Sequence, residues 1–195
     1  MVSRPISLVI SLSGISVALY FLLVALIDPI NHVSFIFNTA MLAYLMEFLS
    51  LHAAAMLVDK KSKQYWLLGV YSLFAVTVGL IFFNWIAPLY FFVGVISKFF
   101  ANRAIDNLSP IVLPVALFIF STFVIIFAAP VIINLFPMPD SVLAQKPPNS
   151  SGLFVDTPQL LLACGILYYL LLVALEFLFY FKKIPANFIR IENNI

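Results

Sequence analysis

Long uninterrupted apolar runs constrain this chain more than any other feature of its sequence. Most of them approach or exceed the twenty or so residues that a helix needs to cross a bilayer, and short polar or proline-containing stretches separate them. Inside a bilayer every backbone polar group must be hydrogen-bonded within the protein, so only helices and closed barrels can span it. The runs are continuous rather than alternating, which favours helices over barrel strands. We therefore predict an all-α, polytopic membrane protein.

The composition supports the same class. Hydrophobic residues make up 64% of the chain and charged residues 9%, and the mean hydropathy is +1.14. Because a soluble domain is about 25% charged, this chain lacks the side chains for a water-facing surface on all sides. No run of Arg and Lys interleaved with aromatic residues indicates nucleic acid as a partner. The single cysteine, Cys164, excludes an intrachain disulfide and a cysteine-cluster metal site.

Six apolar runs predict six spans in one membrane domain over residues 1–195. The predicted spans cover residues 5–27, 34–58, 65–83, 86–100, 110–136 and 158–181. Pro130 removes a backbone donor, so we predict a kink in the fifth span. The loop 137–157 has a Pro147–Gly152 core that predicts irregular backbone. The tail 184–195 mixes apolar and charged residues and is expected to lie along the membrane interface.

The fourth run, residues 86–100, is short and leaves two alternatives open. It is either a short span, with the Lys98 side chain reaching the headgroups, or a re-entrant hairpin. The distribution of positive charge favours the span. With six spans and both termini in the cytoplasm, the inner segments hold Arg4, Lys60, Lys61, Lys63, Lys98, Arg103, Lys182, Lys183 and Arg190.

Only Lys146 then falls outside, in agreement with the positive-inside rule, whereas removing the fourth span destroys the pattern. We therefore predict cytoplasmic termini and an exterior loop at 137–157, facing the periplasm or an equivalent space. The expected location is a bacterial or archaeal plasma membrane.

The second span carries the most polar groups. Glu47 lies near its middle and shares a helix face with Ser50 and several alanines. Since small residues mark helix contacts in membranes, we predict that Glu47 faces the third span, within reach of Ser72 or Thr77. Burial disfavours the charged carboxylate, so it should be protonated or hydrogen-bonded. Either it fixes helix packing, or it handles protons or cations.

Two other polar residues lie within the spans. His52 is about 140° round the helix from Glu47, so these two residues should not form one site. Counted from the inner ends of their spans, His52 and Glu176 lie at similar depth, and we predict a contact between them. Glu176 could alternatively reach Lys183 or water near its helix end. The two histidines, His32 and His52, are about 30 Å apart along the helix and cannot share one metal or haem.

No enzyme motif, cofactor or metal site is predicted. His-Glu-x-x-His, Gly-x-Ser-x-Gly and glycine-rich phosphate loops are all absent from the sequence. Asn149-Ser-Ser151 fits a glycosylation acceptor, which would matter only in a eukaryotic secretory pathway. Two function classes remain open. The scarcity of polar lining favours a non-catalytic membrane component or accessory subunit, with the lipid bilayer, other membrane subunits or copies of itself as partners. The alternative is a small proton- or cation-coupled transporter or channel that uses Glu47, with His52 or Glu176 as relay.

Overall fold

The computed structural model describes residues 4–58, 65–81, 85–103, 109–148 and 150–181, which contain helices and no strand. The α-helices are α1 (Arg4–Ile27), α2 (Met41–Val58), α3 (Tyr65–Ile81), α4 (Ile86–Arg103), α5 (Ser109–Phe127), α6 (Ala129–Leu135), α7 (Asp140–Leu143), α8 (Leu153–Asp156) and α9 (Pro158–Tyr180). A 3-10 turn at Ile30–His32 and a π-helical segment at Phe35–Ala40 lie between α1 and α2. The predicted all-α class is confirmed for these residues.

Proline marks several helix starts, because its missing N–H is not needed in the first helical turn. Pro110 and Pro158 lie in the first turns of α5 and α9. Pro130 has the same position in α6, and the chain bends by 71° between α5 and α6. The predicted kink in the fifth span is therefore confirmed, and it is sharp enough to divide residues 110–136 into two helices.

Within the described part of the chain, two helical stretches are long and apolar enough to cross a membrane, Phe35–Ala53 and Pro158–Leu178. The bent pair of α5 and α6 makes a third if it counts as one span. Ile15–Ile27 and Trp66–Ile81 are apolar but shorter. The helix α4 is continuous over 18 residues, so the chain does not reverse within 86–100.

Two local features differ from expectation. The second predicted span begins with the π-helical segment rather than an α-helix, so its first turns are wider than those of α2. The loop 137–157 contains the short helices α7 and α8 on either side of its Pro147–Gly152 core, and neither helix was predicted. Val142 explains part of this difference, because it is 1% exposed and anchors α7 by apolar burial. The described residues between α7 and α8 are irregular, as predicted for the proline-rich core.

The chain divides into two compact units. Unit 1 comprises Met1–Met41 and Leu117–Lys183. In this unit α1 packs along α9, and the π-helical segment, α6 and α8 also contact α9. The approach of α1 is close at Gly165, where a Cβ atom would lie 2.9 Å from Leu22 Cδ1. The helix α9 is therefore the central helix of unit 1.

Unit 2 comprises Leu42–Ala116 and Ile184–Ile195. The helices α3 and α4 pack together, and only residues 82–85 connect them. These residues are too few to run the length of a helix, so α3 and α4 form an antiparallel hairpin. The core cluster joins α2 to this hairpin through Leu42, Met46, Ala53, Ala75, Val78, Phe91 and Val95.

Several predictions concern residues outside the described part of the chain. These are the basic turn at 59–63, the acceptor residue Asn149, the end of the sixth span at 182–183 and the tail 184–195. The six-span count and the side on which each terminus lies therefore stay predictions.

Candidate functional site

Glu47 and Ser50 form a buried polar pair in α2. Glu47 is 6% exposed and Ser50 is 0% exposed. Ser50 Oγ donates to the backbone carbonyl oxygen of Glu47 at 2.9 Å and lies 3.5 Å from Glu47 Oε2. Residues three apart lie one above the other on a helix, which is why this spacing brings them together. The structure thus places two of the predicted site residues side by side.

The residues next to Glu47 show where it lies on α2. Met46 and Ala53 are 0% exposed and pack into the core cluster with α3 and α4. Glu47 follows Met46 by one residue, about 100° round the helix. It therefore lies at the side of that contact rather than at its centre. The pairing of Glu47 with Ser72 or Thr77 stays a prediction.

Ser72 and Thr77 lie on different sides of α3, about 140° apart. Ser72 is half-buried, whereas Thr77 is exposed. Thr77 Oγ1 donates to the carbonyl oxygen of Leu73 at 2.8 Å. Its donor is therefore satisfied within its own helix.

His52 is half-buried and shares its side of α2 with Leu45 and Phe48, which are 37% and 41% exposed. Its Nδ1 donates to the carbonyl oxygen of Phe48 at 2.9 Å, and the two ring centroids are 4.2 Å apart. Glu47 is buried on another side of the same helix, in agreement with the predicted angle. His32 makes the same kind of bond, from Nδ1 to the carbonyl oxygen of Asp28 at 2.8 Å.

Glu176 lies in α9 and is half-buried. It belongs to unit 1, whereas His52 belongs to unit 2. The predicted contact between His52 and Glu176 therefore stays a prediction.

Gln159 is a buried polar residue that was not predicted as a site residue, because it carries no ionisable group. This residue lies at the start of α9 and is 3% exposed, and among the described residues its Oε1 has no hydrogen-bond partner. A buried polar atom without a partner costs about 1–3 kcal/mol. The available signal was a polar residue between Pro158 and three leucines at the start of a spanning run.

The loop 137–157 holds a second polar cluster, which was not predicted from the sequence. Lys146 Nζ lies 2.8 Å from Asp156 Oδ1, and the N–H of Gly152 donates to Asp156 Oδ2 at 3.0 Å. Gly152 has a φ of 140°, which side chains other than glycine rarely allow. The bonds from Lys146 and Gly152 hold the pKa of Asp156 below its usual value of 3.8. This carboxylate closes the loop between α7 and α8.

Among the described residues, no three His, Cys, Asp or Glu side chains group as a metal site would require. Comparison of the chain with protein-family models, curated proteins and solved structures found no match. The chemistry of the site therefore follows from its geometry alone. A buried carboxyl group beside a hydroxyl group can fix the rotation of α2, or can hold a proton.

Proposed function

We propose that this chain is a non-catalytic multi-pass membrane component, an accessory subunit that assembles with other membrane proteins or with copies of itself. Its two or three spanning stretches support placement in a membrane. So do the large apolar side chains that its helices leave exposed, such as Phe120, Phe123 and Phe127 of α5. Exposed surface of this kind is compatible with lipid or with another subunit.

The burial of Glu47 is the observation that favours an accessory subunit over a transporter. A transporter needs a hydrated path to the group that carries its proton or cation. Glu47 is 6% exposed and lies beside the buried Ser50. Such an environment supports a packing role for the carboxyl group.

We further propose six spans with both termini in the cytoplasm. The distribution of nine of the ten Lys and Arg residues to inner segments supports this arrangement. The helices α3 and α4 have 17 and 18 residues, close to the lower limit of about 17 for a spanning helix. Together with α1, α2, α5–α6 and α9, these two helices would make six spans.

Labelling of single cysteines with a membrane-impermeant maleimide tests the six-span arrangement. In a Cys164→Ala background, we expect Ser141→Cys to be labelled in intact cells, since it lies in the exterior loop. Ser3→Cys, Ser62→Cys and Asn194→Cys should be labelled only after the membrane is opened. Different labelling at the Ser3 and Asn194 positions would show that the termini lie on opposite sides.

Glu47→Gln separates packing from transport, because glutamine keeps the size and polarity but cannot titrate. We expect the purified native chain and the variant to give equal proton flux in liposomes and equal thermal stability. Asp140→Asn is the matched control, since it makes the same exchange in the exterior loop. A proton flux that is present in the native chain and lost only in Glu47→Gln would establish the transporter instead.

Assembly is tested by chemical cross-linking in native membranes, followed by purification in a mild detergent. We expect a defined complex larger than one 21.8 kDa chain. Glu47→Gln should retain this complex. A chain that is monomeric in membranes and cross-links to nothing would remove the assembly proposal.

A further inference from the structure

We propose that the α3–α4 hairpin is a lipid-binding surface whose one end binds the headgroups of anionic phospholipids, with Trp66 and Trp85 at opposite membrane interfaces. This inference rests on the proposed spanning arrangement and adds the class of lipid and the residues that contact it. Four observations on unit 2 support it: the direction of the hairpin, its exposed side chains, its tryptophans and its charges.

The antiparallel hairpin fixes which residues share an end. The start of α3 and the end of α4 lie at one end, and the connection at residues 82–85 lies at the other. The buried residues of α3 include the small Ala75 and Gly79, whereas α4 contributes Phe91 and Val95 to the core cluster. The exposed side chains of both helices lie on the faces turned away from this core.

The outer faces of both helices are continuous and apolar. On α3 the exposed residues recur at helical spacing, and on α4 they do the same; they are Trp66, Val70, Leu73, Phe74, Leu80 and Ile81, and Leu89, Phe92, Val93 and Ile96. The exposed Thr77 does not interrupt this surface, because its hydroxyl donates to Leu73 within the helix. Acyl chains therefore fit here without leaving a polar group unsatisfied.

The two tryptophans of the chain mark both ends of α3. Trp66 is 65% exposed and Trp85 is 60% exposed. The 17 residues of α3 are about 26 Å long, which approaches the roughly 30 Å hydrocarbon thickness of a bilayer. Tryptophan prefers the boundary between hydrocarbon and headgroups. One tryptophan at each boundary is the arrangement that this spacing favours.

The charges of the hairpin are complementary to anionic headgroups at one end only. Lys60, Lys61 and Lys63 directly precede α3, and the last turns of α4 carry Lys98 and Arg103. Lys63 is two residues before Tyr65, the first residue of α3, in the sequence. Residues 82–85, at the other end, include no charged residue. A cluster of four to eight basic residues beside a span favours anionic phospholipid.

Quenching by brominated lipids tests the placement of the tryptophans. The full-length chain is reconstituted as Trp85→Phe, which leaves Trp66 as the single fluorophore, and as Trp66→Phe, which leaves Trp85. Phosphatidylcholine carries bromine either near the glycerol backbone or near the chain end. We expect stronger quenching of both tryptophans by the shallow bromines. Stronger quenching of either by the deep bromines, or no quenching, would overturn the placement.

The preference for anionic lipid is measured in the Trp85→Phe protein. Brominated phosphatidylglycerol and brominated phosphatidylcholine are compared at the same small mole fraction. Each basic residue near an anionic surface favours it roughly fivefold, so we expect at least about a twofold greater quenching of Trp66 by the anionic lipid. Raised salt should reduce the difference, because salt screens exposed charges. Trp85 should show equal quenching by both lipids.

Charge variants identify the residues responsible. Replacing Lys60, Lys61 and Lys63 by glutamine should abolish the preference at Trp66. The matched control replaces Lys182 and Lys183 by glutamine, which removes positive charge beside a different predicted span and should retain it. Equal quenching by the two lipids in the parent protein, or a preference that survives the triple replacement, would refute the anionic site. Either result would leave the assembly proposal intact, and a failed cross-linking experiment would leave the lipid site intact.

Discussion

The two compact units differ in the sequence distance between the helices that pack together. In unit 2, α3 and α4 are neighbours along the chain, joined by residues 82–85. In unit 1, α1 packs along α9, the first described helix against the last. Contacts between sequence neighbours form with less loss of chain entropy than distant ones. The hairpin can therefore form once α4 has been synthesised, whereas α1 lacks its main partner until α9 has been synthesised.

The units also differ in how they bury a polar side chain. In unit 2, Glu47 lies beside Ser50, which is close enough to its carboxyl group for a weak hydrogen bond. In unit 1, the buried Gln159 Oε1 has no partner among the described residues. The spacing of three residues on one helix places the Ser50 hydroxyl group beside the Glu47 carboxyl group. A hydrogen-bond donor for Gln159 Oε1 would have to come from another helix. Four substitutions test the separate packing of the two units and the polar contacts of unit 1.

Phe91→Ala should have the largest effect, because Phe91 is 0% exposed in the core cluster of unit 2. In a bilayer the loss is mainly one of packing, and we expect about 2–4 kcal/mol from the free energy of unfolding. Unfolding in mixed detergent measures this loss. Hydrogen exchange should show reduced protection in α3 and α4 and unchanged protection in α1 and α9.

Phe92→Ala is the matched control for Phe91→Ala, since the neighbouring Phe92 is 36% exposed. It should cost less than about 1 kcal/mol. Equal loss of protection in both units after Phe91→Ala would contradict their description as separate units.

Gly165→Ala probes the contact between α1 and α9. The new Cβ would meet Leu22 Cδ1 at 2.9 Å, so the leucine side chain must move. We expect a loss of about 1–2 kcal/mol, and almost none when Leu22→Ala is already present. Gly69→Ala in α3 is the control, because nothing lies within 4 Å of its Cβ position. A cost that does not depend on Leu22 would show that the two helices are not in such close contact.

Gln159→Leu should stabilise unit 1 by about 1 kcal/mol, because it removes a buried acceptor that has no donor. The same detergent unfolding assay measures the gain. Gln145→Leu is the control, since Gln145 is exposed and its Nε2 donates to the carbonyl oxygen of Ser141 at 3.0 Å. Destabilisation by Gln159→Leu would mean that the amide oxygen has a hydrogen-bond donor in the membrane.

Asp156→Asn should have the smallest effect, because its ion pair with Lys146 is exposed to solvent. The folded state lowers the pKa of Asp156, so the carboxylate adds stability above its usual pKa of 3.8. This contribution is lost as the pH falls through the lower folded value. Melting temperatures of the native chain and the variant should therefore differ slightly at neutral pH and converge in acid. A difference that persists in strong acid would exclude the ion pair as its source.

The positions of most helices could be predicted from the sequence, because apolar runs and first-turn prolines influence the backbone close to them. The kink at Pro130 and the pair of Glu47 with Ser50 were predictable for the same reason. The π-helical segment at Phe35–Ala40 was not, because residue type does not reveal a one-residue shift in the backbone hydrogen bonds. The packing of α1 on α9 was not predicted either, because many apolar faces could pair. The burial of Gln159 depends on such long-range packing.

The hydrogen bonds of the two histidines have a chemical consequence. A backbone carbonyl oxygen can only accept, so Nδ1 must carry the hydrogen in both His32 and His52. In the neutral ring this assigns the lone pair to Nε2. Nε2 of either ring can therefore accept a second hydrogen bond while Nδ1 keeps the bond that orients the ring. Nitrogen-15 chemical shifts of the two rings would report this tautomer directly.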